Sequence, residues 1–209
     1  MKLKNIVWPD THLGDTIKTQ IAEMSTIPNM LLSGPPGTGK TTLGELIADE
    51  LGLTPATVFR VNGGIKNDVG SLDQLSQSLD NNPVEFLEGP DLNLVLFDEV
   101  DSLSVGPTGS MVRLKAYIDR HQHNTRWIFT TNRQDLGFFN KAFLDRVEVV
   151  EWDYAKCPDK FLKAVEKMIG DKDHAKNLAS QANGSFREVE RLLFNLYGDQ
   201  KDLWQNYNK

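Results

Sequence analysis

The chain has 209 residues, of which 39% are hydrophobic, and this composition supports a folded core and excludes a disordered protein. Its single cysteine excludes an internal disulfide and a zinc site built on cysteine pairs, and its net charge of −6 argues against a protein that coats nucleic acid, although a local basic surface is compatible with it. No apolar run could span a membrane, and residues 1–10 lack the apolar centre of a secretory signal, so we expect a soluble intracellular protein of the cytoplasm or nucleus.

Strand-like apolar runs alternate with helix-like stretches over the larger part of the chain. This alternation predicts an α/β fold, in which helices flank a parallel sheet. Most of the runs are continuously apolar, as strands buried on both faces should be. The five predicted strands are residues 30–33, 57–61, 94–97, 127–131 and 147–151.

The pattern changes after Asp153, where the strand-like runs stop and three short amphipathic helices follow. Pro158 is placed to open the first of them. We therefore predict two domains, a core over residues 1–153 and a small all-helical domain over residues 154–209. The cysteine, Cys157, lies at this junction, where we expect it to act as a small hydrophobe.

The strongest chemical signal is the string GPPGTGKT at residues 34–41, a complete phosphate-loop pattern between a predicted strand and a predicted helix. Its glycines let successive backbone N–H groups face a phosphate, and the helix N-terminus adds its dipole. Lys40 is expected to reach the β- and γ-phosphates, and the Thr41 hydroxyl to bind Mg²⁺. A plain surface turn would have no need for Lys-Thr at this spacing. The predicted nucleotide-binding residues of the loop are Gly34, Pro35, Pro36, Gly37, Thr38, Gly39, Lys40, Thr41 and Thr42.

A second signal is the string LVLFDEVD at residues 94–101, an apolar strand that ends in acidic residues. Parallel strands deliver the residues at their carboxyl ends to the crevice where ligands bind in open α/β sheets. We expect Asp98 to hold Mg²⁺ through its water shell, and Glu99 to orient and deprotonate the attacking water. Alone, the string is also compatible with a solvated loop. Because a complete phosphate loop precedes it in the sequence, the acidic string predicts an enzyme that binds ATP and Mg²⁺ and hydrolyses the ATP.

Several strings taken together, in chain order, resemble the AAA+ ATPases. They are GPPGTGKTT, DEVDSL, TTN at residues 130–132, LDRVEVVEW at 144–152 and GSFREVERLL at 184–193. Within that superfamily the chain is similar to the small subunits of sliding-clamp loaders, of the replication factor C type and its phage counterparts. The resemblance implies a five-stranded ATPase core with a helical lid, a ring of AAA+ subunits, and a sliding clamp and primed DNA as partners. A phage-encoded subunit would act in the cytoplasm of the infected cell.

Three further site residues are carried over by the resemblance, and the first two are Asn132 and Arg146. Asn132 matches the sensor-1 position, where an amide can bond both the γ-phosphate and the attacking water, although an asparagine after a strand is also a common turn residue. Arg146 matches the arginine finger that enters a neighbour's ATP site, but the serine and cysteine that flank it in the family are absent here. An arginine at the end of a short helix, predicted over residues 140–146, is also favoured by the helix dipole alone.

Arg187 matches the sensor-2 position, from which the lid reaches the γ-phosphate. Ser185 and Glu188 form a capping-box pattern that places Arg187 in the first turn of its helix. A cation there opposes the helix dipole at a cost of about 0.3–1 kcal/mol. A bound triphosphate would offset that cost.

The resemblance also assigns residues outside the ATP site. Asn62 matches a position from which some AAA+ proteins hold the catalytic glutamate away from water, although a plain turn accounts for it equally well. Lys66, Arg113 and Lys115 lie in segments that face DNA in clamp loaders, and a solvated helix face is their alternative. Within the 209 residues no collar domain follows the lid, and Val7-Trp8-Pro9 stands where the family has Tyr-Arg-Pro.

Two other functions remain open at this stage. One is a different nucleic-acid-linked AAA+ motor or a helicase loader, which the missing collar favours. The other is an assembly subunit that uses ATP as a structural ligand without significant turnover. The complete set of expected catalytic residues argues against the second.

Overall fold

The computed structural model describes residues 3–22, 27–82 and 91–198, except for the side chains of Leu13 and Ala22. Within these ranges, five parallel strands form one sheet in the order β2-β3-β4-β1-β5. The strands are β1 (Met30–Ser33), β2 (Val58–Asn62), β3 (Asn93–Asp98), β4 (Thr125–Thr131) and β5 (Glu148–Glu151). The predicted parallel α/β sheet is confirmed, with strand ends that differ from the predicted ones by no more than one or two residues.

Helices cover both faces of the sheet, and three further α-helices follow it within the described ranges. Those before or between the strands are α1 (Thr11–Ala22), α2 (Lys40–Glu50), α3 (Val69–Asp80), α4 (Ser110–Arg120) and α5 (Lys141–Leu144). The C-terminal helices are α6 (Pro158–Ile169), α7 (Lys172–Ala182) and α8 (Phe186–Tyr197). None of the helices in the described ranges is both long and apolar enough to cross a lipid bilayer.

Successive residues of a strand enter two different hydrophobic clusters. In β1, Leu31 packs into the cluster that α3 and α4 cover, whereas Met30 and Leu32 pack into the cluster shared by α2 and the C-terminal helices. All three side chains are fully buried. A strand buried on both faces requires apolar residues at consecutive positions, which explains the continuous runs in the sequence.

Local signals set the ends of the C-terminal helices. Pro158 occupies the first turn of α6, and Gly170, in a left-handed conformation, ends that helix. Ser185 caps α8, because its hydroxyl accepts a hydrogen bond from the Glu188 backbone N–H at 3.3 Å. The predicted capping box is only half formed, since the Glu188 carboxylate pairs with Arg191 instead of reaching back. The helix predicted over residues 140–146 is also shorter, being α5 alone.

The carboxyl ends of the parallel strands share one edge of the sheet. Ser33, at the end of β1, lies beside Thr131 near the end of β4. The phosphate loop therefore begins next to Asn132, and Asp98 ends the strand on the other side of β4. This edge brings together segments that are far apart in the sequence.

Candidate functional site

The phosphate loop joins β1 to the N-terminus of α2. Gly37 and Gly39 have φ values of 77° and 87°, a left-handed region that a residue with a Cβ rarely adopts. Gly39 is the N-cap of α2, and Lys40 is its first residue. The N-terminal N–H groups of α2 therefore point into the cleft beyond the sheet edge, as an anion site requires.

Lys40 is held at the centre of this edge. Its Nζ donates to the backbone oxygens of Gly34 at 2.7 Å and Pro35 at 2.8 Å, and to Asn132 Oδ1 at 3.0 Å. The residue is only 7% exposed. Burial lowers the pKa of Lys40 to about 8, and the negative charge of Asp98 opposes that shift without cancelling it. The amide predicted as sensor 1 is thus in direct contact with the lysine of the phosphate loop.

Asp98 is fixed by two hydroxyl groups. Thr41 Oγ1 donates to Asp98 Oδ1 at 3.2 Å, and Thr130 Oγ1 donates to the same oxygen. Thr130 also accepts a hydrogen bond from the Glu99 backbone N–H at 3.1 Å. A hydroxyl and a carboxylate oxygen side by side are a donor set that suits Mg²⁺, which is commonly held by few protein ligands together with phosphate and water. Sequence reasoning missed Thr130, although it lies in the TTN string.

Glu99 follows Asp98 with a backbone conformation that is unusual for its residue type. Its φ and ψ are 56° and 50°, in the left-handed region. The carboxylate lies against Gly64, where an added Cβ would come within 2.7 Å of Glu99 Oε2. Asn62 is also close, but its Oδ1 accepts from the Gly64 backbone N–H at 2.8 Å. The strained backbone aims the Glu99 side chain across the sheet edge toward the end of β2.

The N-terminus of α8 rests on the phosphate loop. The backbone N–H groups of Phe186 and Arg187 donate to the Gly37 oxygen at 2.8 Å and 3.3 Å. A Cβ on Gly37 would lie 2.5 Å from Ser185 Oγ and 2.9 Å from Arg187 Cβ, so this close approach depends on a glycine. Arg187 lines the cleft, and its positive charge contributes to the lowered pKa of Lys40.

Together these elements enclose a cleft of about 590 Å³. Its polar lining includes residues 36–41 of the phosphate loop, Asp98, Glu99, Asn132 and Arg187. Apolar and aromatic side chains also line it, and none of them was predicted from the sequence as part of the site. They are Ile6, Val7, Leu43, Leu46, Trp152, Tyr154, Ala164, Met168 and Phe186. The volume and the mixture of polar and apolar lining are typical of a small-molecule site.

Comparisons with known proteins identify the family of the chain. Residues 30–152, which span the sheet, the phosphate loop and the acidic end of β3, match the family model described as "ATPase family associated with various cellular activities (AAA)". The chain belongs to this family. The phosphate loop and the acidic end of β3 both lie within the matched residues, and the chain thus contains an AAA ATPase domain.

Individual relatives of this AAA ATPase are more varied in function. Replication factor C subunit 1 of Saccharomyces cerevisiae is 31% identical over an alignment of 176 residues, and the alignment covers 78% of this chain and 20% of the relative. The Holliday junction branch migration complex subunit RuvB of Myxococcus xanthus is 28% identical over 188 residues, covering 80% of this chain and 50% of the relative. The chain thus spans half or less of the length of these curated relatives.

Solved structures confirm the AAA fold. The RuvB Holliday junction branch migration motor of Thermotoga maritima superposes with a TM-score of 0.62 at 20% identity, covering 87% of this chain and 58% of the other. A point mutant of the same motor gives a TM-score of 0.64 at 19% identity, with the same coverage of both chains. At this level of identity the similarity concerns the fold alone.

Arg146 is absent from the cleft of this AAA ATPase. Its Nε and Nη2 donate to Asp119 Oδ1 at 2.7 Å and Oδ2 at 2.6 Å, and its Nη1 donates to the Ala142 oxygen. The side chain is 31% exposed and does not line the cleft that holds its own phosphate loop. Lys66 and Arg113 are exposed, and Lys115 is half-buried, all outside the cleft. The structure thus brings together every predicted ATP-site residue except Arg146.

Proposed function

We propose that this ATPase hydrolyses Mg·ATP in the cleft as one subunit of a ring, and that the ring loads a sliding clamp onto primed DNA during replication. The convergence of Lys40, Asp98, Glu99 and Asn132 at one sheet edge supports the reaction. The 31% identity with replication factor C subunit 1, over 78% of the chain, supports the role in replication.

The proposed binding step uses the contacts of the free cleft. Lys40 exchanges its bonds to the loop oxygens of Gly34 and Pro35 for bonds to the β- and γ-phosphates, while Asn132 keeps the ammonium centred. Thr41 and Asp98 would hold the Mg²⁺ ion, which would neutralise charge on the phosphate oxygens when bound. The loop N–H groups and the α2 N-terminus supply the remaining donors.

The proposed hydrolytic step uses groups around the γ-phosphate. Glu99 orients a water molecule and takes its proton, and Asn132 donates its amide N–H to the γ-phosphate. Arg187 adds positive charge from α8, the third helix of the proposed lid. Because α8 already contacts Gly37 through its backbone, a short side-chain movement is sufficient for Arg187 to reach the phosphates. Arg146 of one subunit supplies charge to the γ-phosphate of its neighbour.

Raising the pH above about 8 should weaken ATP binding, because free Lys40 loses its proton there. Phosphate oxygens favour the charged ammonium and raise its pKa in the complex, so binding above this pH takes up a proton. We expect affinity to fall by up to about ten-fold per pH unit from pH 8 to the pKa of the complex. Calorimetry in two buffers with different ionisation enthalpies measures the proton uptake. An affinity that is constant from pH 7 to 9.5 would contradict this role of Lys40.

The same pKa shift has the opposite effect on the stability of the free protein. Unfolded Lys40 has the ordinary pKa of 10.5, so between about pH 8 and 10.5 the unfolded state binds more protons than the folded state. The contribution of this residue to the free energy of unfolding therefore rises with pH across that window. Binding and stability moving in opposite directions distinguish a titrating Lys40 from general alkaline unfolding.

Mixing two inactive variants should restore hydrolysis if Arg146 acts on a neighbour. Arg146→Ala subunits keep Glu99 and can receive the arginine of Glu99→Gln neighbours. In an equal, random mixture about a quarter of the sites have both groups, so recovery of roughly a quarter of wild-type activity is expected. Light scattering must first show that ATP promotes assembly. No recovery at any ratio, or full activity in a monomer, would rule out the neighbour role.

Steady-state ATPase activity measured alone, with primed DNA, and with primed DNA and a sliding clamp tests the proposed role. Stimulation by the DNA and clamp together supports a clamp loader. Turnover that none of these additions changes argues against it.

The similarity to RuvB favours a second candidate, a motor that moves DNA junctions. This similarity reaches 28% identity over 80% of the chain. Stimulation of turnover by a four-way DNA junction, with no response to clamp and primed DNA, would support this candidate over the clamp loader.

A further inference from the structure

Trp152 touches the phosphate loop at two places, its first residue and its middle. It follows β5 directly and is 2% exposed. Its backbone N–H donates to the Ser33 oxygen at 2.7 Å, and its own carbonyl oxygen would lie 2.1 Å from a Cβ on Gly34. Across the loop, its indole Nε1–H donates to the backbone oxygen of Thr38 at 2.9 Å, in a fully buried contact. One residue therefore connects the start of the loop to its middle.

The hydrogen bond to Thr38 fixes the orientation of a whole peptide group. The Thr38–Gly39 peptide is planar, so its carbonyl and the Gly39 N–H point in opposite directions. Gly39 has a φ of 87° and no Cβ, and glycine is the residue whose flanking peptides rotate with the least steric resistance. Holding the Thr38 oxygen toward the interior directs the Gly39 N–H toward the cleft, where Gly39 is part of the lining.

We propose that Trp152 is a positioning residue that orients the Gly39 N–H for binding the phosphates of ATP. This proposal rests on the proposed binding of the ATP phosphates over the loop. It does not depend on whether the ATPase loads a clamp or moves a DNA junction. The Gly39 N–H contacts a phosphate in both the bound substrate and the transition state. The loss of its orientation therefore raises Kd and KM and leaves kcat nearly unchanged.

The packing of Trp152 keeps the indole N–H in one direction. Trp8 and Tyr154 meet it edge to face, with ring centroids 5.4 Å and 5.9 Å away. Trp8 is equally buried at 3% exposure, but its own Nε1 has no hydrogen-bond partner within the described part of the chain. The two tryptophans belong to one aromatic cluster. The indole N–H of Trp152 donates a hydrogen bond, whereas that of Trp8 has no partner among the described residues.

This difference provides a matched pair of variants. Trp152→Phe keeps an aromatic ring in the cluster and removes the N–H that holds Thr38, whereas Trp8→Phe removes an unused N–H from the same cluster. Loss of one buried hydrogen bond predicts that Trp152→Phe raises the Kd for Mg·ADP and Mg·ATP, and the KM for ATP, by about three- to ten-fold. Its kcat should stay within about two-fold of wild type, and Trp8→Phe should keep the wild-type Kd. Thermal unfolding without nucleotide measures the purely structural cost of each change.

Each result separates this role from the alternatives. An unchanged Kd in a folded Trp152→Phe variant overturns the proposal, as does an equal rise in Kd in Trp8→Phe, which would assign the effect to packing. A fall in kcat with unchanged KM also overturns it. Lys40→Ala serves as the reference for the site itself. If that variant binds ATP normally, the proposed phosphate site is wrong; if it loses binding while Trp152→Phe does not, only the role of Trp152 is wrong.

Discussion

Replacing Lys40 with alanine should abolish ATP hydrolysis and weaken ATP binding by about a hundred-fold, since charge-assisted hydrogen bonds contribute about 1.5–3 kcal/mol. The ammonium is already centred between Gly34, Pro35 and Asn132, and no other lysine lies in the phosphate loop to replace it. Calorimetric titration with Mg·ATP and a phosphate-release assay measure the two effects.

The control is Lys163→Ala, which removes an exposed lysine from α6 outside the cleft. It should bind and hydrolyse ATP like the wild type. Because Lys40 is a buried cation whose pKa is lowered by burial, its replacement should not destabilise the fold through loss of charge. A Lys40→Ala protein with normal melting behaviour and unchanged turnover would refute the assignment of the site.

Replacing Glu99 with glutamine should lower turnover by about a hundred-fold or more while ATP affinity stays near that of wild type. Glutamine has nearly the same shape, so the left-handed backbone at this position and its hydrogen bond to Thr130 can persist. What is lost is the carboxylate that accepts the proton of water. We therefore expect ATP to accumulate on the assembled protein without being hydrolysed.

Single-turnover measurements separate binding from chemistry in this variant. Glu50→Gln, an exposed carboxylate at the end of α2, is the control and should retain normal turnover. If Glu99→Gln lost affinity and rate in equal proportion, Glu99 would contribute to nucleotide binding, and its proposed role as a base would be wrong.

Patterns with a local physical origin allowed most of the fold to be predicted. Continuous apolar runs marked the strands because both faces of the sheet are covered, and Pro158 and Ser185 marked helix starts. The predicted capping box was wrong in one of its two hydrogen bonds. The Glu188 carboxylate does not reach back to the start of α8, because it pairs with Arg191 one turn further along the helix. The two-domain division at residue 153 stays a prediction.

For the site, the two motifs were enough to predict which residues meet at the sheet edge. A phosphate loop and an acidic strand end meet there when the strands are parallel, so Lys40, Asp98 and Glu99 could be grouped in advance, and the resemblance to AAA+ ATPases added Asn132. Their roles in catalysis stay predictions that the variants above test.

Side-chain contacts between segments distant in the chain became known from the structure alone. The Thr130 hydroxyl on Asp98, the Asp119 carboxylate on Arg146 and the Trp152 indole on Thr38 each join residues whose proximity no local pattern encodes. Periodicity and motif spacing report on neighbours along one helix, strand or turn. Contacts across elements depend instead on strand order, on register and on side-chain direction, and these are fixed only when the whole core packs.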